Sequence, residues 1–296
     1  MSFDQLLFLA QRLASSVDAL AALTASLRIR TEGLSPDPST KRALEAVWNA
    51  LGAPPLDDLP ADKLKMAAGA IRSSLRQSMD FVDHPDRAAG WVHNDPIVLQ
   101  SQGRASMLLA GLMQKVAPQL PRLPERLASP DAAFLDIGTG VGWLAVAMAR
   151  AFPTLRVVGV DVWDPALALA RDNIAASGAT DRIEIRKEDA CELRESSAFD
   201  LVWFPSPFIP RSIVPPAVDR AHRALRSNGW MIFGISVAAP EPLAQRLNEL
   251  RTVRSGGYAW SEPEAKELLR AHDFVDVRVV ERSWSEPVAF VAGRTP

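Results

Sequence analysis

The sequence predicts an α/β protein whose sheet domain is doubly wound, mostly parallel and seven-stranded, preceded by an all-helical domain. The expected boundaries are a helical domain over residues 1–118, a proline-rich connector over 119–131 and the sheet domain over 132–296. Three observations predict this. Apolar residues recur at helical spacing through the first part, as in Leu6, Leu9, Leu13, Val17, Leu20, Leu23 and Leu27. Four prolines crowd "PQLPRLPERLASP", where that pattern lapses. Beyond it, short β-rich runs alternate with helical segments, the grammar of a parallel sheet covered by helices on both faces.

Taken in order, the first helix begins near Ser2, and a second runs from Pro38 through "KRALEAVWNAL" to Gly52, a residue suited to ending it. A third follows "LPADKLKMAAGAIRSSLRQSMDF". The fourth is read as one helix, "HNDPIVLQSQGRASMLLAGLMQKVAP", with Asn94 or Asp95 capping its open N–H groups and Pro96 in the first turn. The strands are "AAFLDIG", "LRVVGVD", "RIEIRKED", "FDLVWF", "GWMIFGIS", "VDVRVVER" and "PVAFVAGR". Ser261 and Glu264 form a capping box before the last helix.

Bulk composition excludes several classes of partner. The chain has 296 residues, 48% hydrophobic and 23% charged, and its net charge of −2 leaves no positive excess to draw nucleic acid or an anionic membrane. The single cysteine, Cys191, cannot form an intramolecular disulfide, and no Cys/His cluster offers a metal site. Asp4 precedes the short apolar run of "MSFDQLLFLAQRLASS", which lacks the basic start of a secretory signal, and no stretch is read as reaching the roughly 20 apolar residues of a membrane span. The expectation is a soluble, cytoplasmic protein without metal.

"FLDIGTGVGWLAVAMA" carries the most chemistry. A strand ends near Asp136, and Gly138, Gly140 and Gly142 follow before an apolar helix. Glycines permit tight turning and close approach of a ligand, and a helix N-terminus offers free N–H groups and partial positive charge. A dinucleotide fingerprint would need its third glycine at position 143, which is Trp143. Asp161 closes the next strand, where an acid can accept from both hydroxyls of a ribose. Asp189 follows the third strand, with Ala190 beside it.

This Asp136-x-Gly138-x-Gly140-x-Gly142 pattern, with Asp161 and Asp189 in register, resembles the class I S-adenosylmethionine-dependent methyltransferases, which have a Rossmann-like fold. The likeness covers roughly 132–293. It implies S-adenosyl-L-methionine as cofactor, held by Asp136, Gly138, Thr139, Gly140 and Gly142 along its methionine portion, by Asp161 at the ribose, by Val162 or Trp163 against the adenine, by Asp189 and Ala190 near the adenine amino group, and by Pro205.

The fourth strand and its loop, "FDLVWFPSPFIP", match the family's "FDLIVSNPPYIP" form at Phe199, Asp200, Leu201, Pro207, Ile209 and Pro210. Pro205 replaces the asparagine, Ser206 the first proline and Phe208 the tyrosine. Proline supplies no side-chain acceptor to grip an amino group, which argues against amide or adenine N-methylation. The expected acceptor is a small molecule, with O-methylation ahead of N- or C-methylation. Its expected neighbours are Ser206, Pro207, Phe208, Trp91, Gln102, Arg104 and Ser106. Phe208 and Trp91 also read as packing residues, and Gln102, Arg104 and Ser106 as an ordinary polar helix face.

A phenol or alcohol acceptor needs its proton removed. His93 and His84 are the candidate bases, whereas His222 and His272 fall in covering helices and are set aside. The helical domain is expected to serve as lid, as homodimer interface or as both. Alternatives are N-methylation of a protein or other amide or amine through the altered loop, a nicotinamide-dependent oxidoreductase, and a cofactor-binding protein without turnover.

Overall fold

The computed structural model describes residues 2–296, which form two compact units, the first ending at Pro85 and the second spanning Asp86–Pro296. The first unit holds α1 (Phe3–Glu32), α2 (Pro38–Ala50) and α3 (Ala61–Asp83). Ser2 and Gln5 form a capping box at the start of α1, and Gly33 ends it in the left-handed conformation at φ 66°. Asp37 caps α2, with Pro38 in its first turn. Leu27, Leu64 and Ala68 are buried at the meeting of the three helices, with Trp48 and Ile71 packed on them. One expectation is corrected here: α1 is long and apolar enough, by length and composition, to cross a membrane. Its apolar content is spread along the helix among few charges instead of forming one unbroken run.

The second unit starts with α4 (Pro96–Ser106), α5 (Leu108–Val116) and α6 (Leu123–Leu127). The fourth helix of the sequence reading is thus two helices, broken at Met107. There the Ser106 hydroxyl donates to the Gly103 carbonyl (2.6 Å), and Met107 N–H reaches back only to Arg104 (3.3 Å), a tightened turn that ends α4. The unit boundary also lies at 85, not at 118. The proline-rich stretch is no exposed connector: Leu120, Leu123 and Leu127 are fully buried, in one cluster with Val116, Phe134 and Met148. Two of its prolines, Pro118 and Pro124, occupy first turns, where a missing N–H is harmless, so they mark helix starts here.

Then come β1 (Ala133–Ile137), α7 (Trp143–Ala151), β2 (Arg156–Asp161), α8 (Asp164–Ser177), β3 (Ile183–Lys187), β4 (Phe199–Pro205), α9 (Val214–Ala224), β5 (Leu225–Ser236), α10 (Pro242–Arg254), α11 (Glu262–Ala271), β6 (Val275–Val279) and β7 (Val288–Arg294). The seven strands lie in the order β3-β2-β1-β4-β5-β7-β6, with β7 antiparallel to both neighbours and the other pairs parallel. The Ser261–Glu264 capping box opens α11. Strand order reverses between β1 and β4, and the crevice beyond the carboxyl ends of such strands is where this class of sheet binds ligands. Besides the short α6, one longer helix is new to the structure: α10 buries no residue, so no core-facing stripe betrays it in the sequence.

Candidate cofactor and acceptor site

The loop after β1 is shaped by backbone conformation. Gly138, Gly140 and Gly142 have φ of 66°, 56° and 77°, in the left-handed region that a side chain strains. A Cβ added at Gly140 would meet nothing nearer than the Gly138 carbonyl oxygen at 3.9 Å, so the loop turns a bare face to open space. A Cβ at Gly142 would press on Ala170 and Ile174 at 3.3 and 3.2 Å, so this glycine serves the packing of α8. Thr139 is turned inward: its N–H donates to the Val160 carbonyl (3.0 Å) and its hydroxyl to Asp136 Oδ2 (2.8 Å). Room for it comes from Gly159, where a Cβ would sit 2.6 Å from Thr139 Oγ1. Sequence reasoning passed over Gly159, although a lone glycine inside a strand is the mark of such an approach.

The two leading acids have distinct settings. Asp136 is 1% exposed; burial, opposed by the Thr139 hydrogen bond, pushes its carboxyl up to about 7. Asp161, half-buried at the β2 tip, accepts from Gly140 N–H at Oδ2 (2.8 Å) and from Trp163 N–H at Oδ1 (2.9 Å). Burial raises its pKa too, and those backbone donors oppose the rise. The bond from Gly140 to Asp161 shows that the loop and the second acid share one place. Asp189 lies on the adjoining tip, since Glu188 N–H donates to the Asp161 carbonyl (3.1 Å). Its carboxylate accepts from Cys191 N–H (2.8 Å), capping the short turn Ala190–Glu192. Val162 is exposed, whereas the Trp163 indole N–H donates to the His93 carbonyl (2.9 Å), which ties the segment before α4 to the β2 tip.

At the β4 tip, all seven strand residues are buried and Pro205 pairs with Gly234. A Cβ at Gly138 would lie 3.4 Å from Pro205 Cγ, so this proline forms a wall beside the glycine loop. Ser206 is fully buried and its hydroxyl donates to the Gly234 carbonyl (2.7 Å), which removes it from the set facing an acceptor. Phe208 is 45% exposed and meets Trp91 edge to face at 6.2 Å, and Trp91 meets His93 in the same way at 5.0 Å. Pro207 is pinned by close approach, for a Cβ at Gly257 would be 1.7 Å from its carbonyl oxygen.

The polar face expected on α4 is turned elsewhere. Arg104 is exposed and lies over the Trp143 ring (5.2 Å to its centroid), and Ser106 bonds back to its own helix. Gln102 and Ser106, four apart, share a helical face, and Arg104, two from each, does not lie on it. Gln100 and Gly103 face the loop instead. Gln100 Oε1 accepts from Trp143 Nε1 (2.7 Å), Gln100 Nε2 donates to Asn173 Oδ1 (3.0 Å), and Asn173 Nδ2 donates to the Val141 carbonyl (2.8 Å). A Cβ at Gly103 would fall 2.1 Å from Val141 Cγ2. The i, i+3 spacing of Gln100 and Gly103 was the available signal. His84 belongs to the first unit, ends α3 and pairs with Asp80 (3.5 Å). Among the described residues, no group of three His, Cys, Asp or Glu could hold a metal ion.

Comparison with known proteins shows what this geometry is similar to. Residues 134–229, from β1 into the start of β5, match the family model described as "Methyltransferase domain". Over that stretch the chain is similar to S-adenosylmethionine-dependent methyltransferases. A release factor glutamine methyltransferase of Chlorobaculum tepidum is 29% identical over 205 residues, 63% of this chain and 64% of that protein. The structure of the mitomycin 7-O-methyltransferase MmcR superposes with a TM-score of 0.67 at 19% identity over 99% of this chain and 98% of that one. Human N-acetylserotonin methyltransferase, solved with S-adenosylmethionine, gives 0.65 at 13% identity over 99% of each. At such identities the superpositions show the fold alone. The chain spans less than two thirds of the length of the curated relatives it matches.

S-adenosyl-L-methionine is the cofactor of this family, and the residues present fit it. The open face over Gly140 is a cradle that a Cβ would fill, and the carboxylates of Asp161 and Asp189 stand on adjoining tips beside it.

Proposed function

We propose that this methyltransferase carries a methyl group to a small-molecule acceptor, with a hydroxyl oxygen favoured as the attacking atom. The aromatic group at the β4 tip carries the reading: Phe208, three residues past the Pro205 that walls the glycine loop, meets Trp91, which in turn meets His93. S-adenosyl-L-methionine, when bound, supplies an electrophilic methyl on a sulfonium sulfur. Gly138 and Gly140 would receive its methionine portion, Asp161 would accept from its ribose hydroxyls, and Val162, Asp189 and Ala190 would hold the adenine. Phe208 and Trp91 hold a flat acceptor and exclude water, so that alignment supplies much of the rate. His93, half-buried against Trp91, takes the proton of the attacking hydroxyl.

The test is transfer of a labelled methyl from S-adenosylmethionine to a panel of phenols, alcohols and amines, read by mass. Products labelled on oxygen support the reading; labelling confined to a protein glutamine or to amines overturns it. The likeness to a release factor glutamine methyltransferase favours that second reading. Against it, Pro205 has no side-chain acceptor and the Ser206 hydroxyl is committed to Gly234.

A homodimer belongs to the same proposal. Phe3, Leu6, Leu13, Val17 and Leu20 lie exposed along α1 at spacings of three, four and seven, an apolar seam that a second copy can cover. Light scattering on the full chain checks it, with vesicle flotation as the control for membrane binding by the same helix. A reducing cytoplasm is the proposed location, in keeping with the lone Cys191.

A further inference from the structure

Three segments distant in sequence cross at the acceptor end, and they cross where side chains are missing. A Cβ at Gly257 would meet the Pro207 carbonyl oxygen at 1.7 Å, and one at Gly256 would meet Gly90 Cα at 3.0 Å. Each segment continues from this crossing into an aromatic residue: Gly90 into Trp91, Pro207 into Phe208, Gly257 into Tyr258. Trp91 and Phe208 are in edge contact, and Tyr258 is the chain's only tyrosine.

Arg211, three residues past Phe208, stands over Tyr258, its guanidinium carbon 4.2 Å from the ring centroid and 5.7 Å from that of Trp260. The tyrosine is fixed beneath it, because its hydroxyl donates to Glu264 Oε1 (2.9 Å) and Glu264 is itself held by the Ser261 capping box. Glu264 lies 3.6 Å from Arg211 Nη2, an ion pair too long for a hydrogen bond. Among the described residues Arg211 makes no side-chain hydrogen bond, and its side chain is 60% exposed. The guanidinium is therefore oriented by a ring and a neighbouring charge while its fork of N–H donors stays available. Such a fork matches a carboxylate through two parallel hydrogen bonds.

We propose that Arg211, held over Tyr258, binds a carboxylate of the methyl acceptor, so that the substrate class is an aromatic acid bearing a hydroxyl. The inference rests on the reading of the β4 tip as the acceptor end and adds the charge of the acceptor to it. An ordinary solvated arginine is the competing account.

The experiment compares 4-hydroxybenzoate with 4-methylphenol, two probes of similar shape that differ in the carboxylate. Each is titrated into the full chain with saturating S-adenosylhomocysteine at neutral pH, and tryptophan fluorescence reports binding. The carboxylate probe is expected to bind about tenfold more tightly, the scale of a charge-assisted contact. In Arg211→Met that ratio falls to near one, and Arg211→Lys, which keeps the charge but not the fork, retains part of it. Equal binding of the two probes by the native chain, binding of neither, or an equal loss of both in Arg211→Met overturns the inference. The affinity for S-adenosylhomocysteine, measured in the same samples, separates this failure from that of the cofactor site and shows that each variant is folded.

Discussion

Replacing Asp161 by alanine tests the cofactor site most directly. In the structure the carboxylate accepts from Gly140 N–H (2.8 Å) and Trp163 N–H (2.9 Å), fixing the loop against the β2 tip, and its remaining lone pairs are those the proposed ribose contact would use. Hydrogen bonds to a charged group contribute about 1.5–3 kcal/mol each, but water can enter this half-buried position and recover part of the loss. The combined loss for S-adenosylhomocysteine is therefore about 1–3 kcal/mol, or about 5- to 150-fold in Kd. Stability changes less than affinity. The two orphaned N–H groups cost free energy, while removal of a carboxylate whose pKa burial has raised relieves a desolvation penalty. Asp161→Asn does not rescue binding, because its amide nitrogen must turn toward one of two backbone donors. Isothermal titration with S-adenosylhomocysteine, alongside a melting curve, measures both effects. A folded Asp161→Ala protein that binds with native affinity would refute the ribose role and the reasoning behind it.

Other expectations follow from the same geometry. Phe208→Ala should lower acceptor turnover about tenfold, from loss of the edge contact with Trp91 and of the flat wall, and leave S-adenosylhomocysteine affinity within about twofold; equal losses in both would reject its place at the acceptor. Asp136 titrates in the folded protein near 7, above its unfolded value of about 3.9, so its contribution to stability is full below about pH 4 and is lost as pH rises through about 7. At three units the loss is about 4 kcal/mol at most, and Asp136→Asn should flatten the decline in urea midpoints between pH 5 and pH 8; a native slope in that variant counts against the burial account. Gly257→Ala sets a methyl against the Pro207 carbonyl and should cost about 1–3 kcal/mol by overpacking, with turnover reduced; an unchanged melting temperature would show that the crossing gives way freely.

The geometry of the glycine loop and the β2 tip was legible because it is local. Gly138, Gly140 and Asp161 owe their positions to backbone conformation and to strand ends, both written in short stretches of sequence. The rest depends on residues that meet only in the folded chain. Ser206 reads as a polar loop residue until Gly234, on the next strand, supplies the carbonyl that takes its hydroxyl. Gln100 gains its place from Trp143 and Asn173, on two other helices. Tyr258 and Arg211 draw no notice in a linear reading, since the glycine that brings Tyr258 to the β4 tip lies some fifty residues beyond it in the chain. The proline-dense stretch misled for the opposite reason: composition suggested solvent, yet Leu120, Leu123 and Leu127 needed only three positions to drive it into the core.

The crossing of Gly90, Gly256, Gly257 and Pro207 bears on how this protein can change. Backbone approaches hold these segments of chain in contact, braced by the Arg87 guanidinium, which donates to the Gly90 carbonyl (3.1 Å). The bulky residues next along, Trp91, Phe208 and Tyr258, stand outside the close approaches at Gly256 and Gly257, so an exchange at one of them leaves those approaches in place. Selection for a new substrate has a short route here, through three rings on an unaltered scaffold, whereas a single methyl added at the joint would disturb all three together.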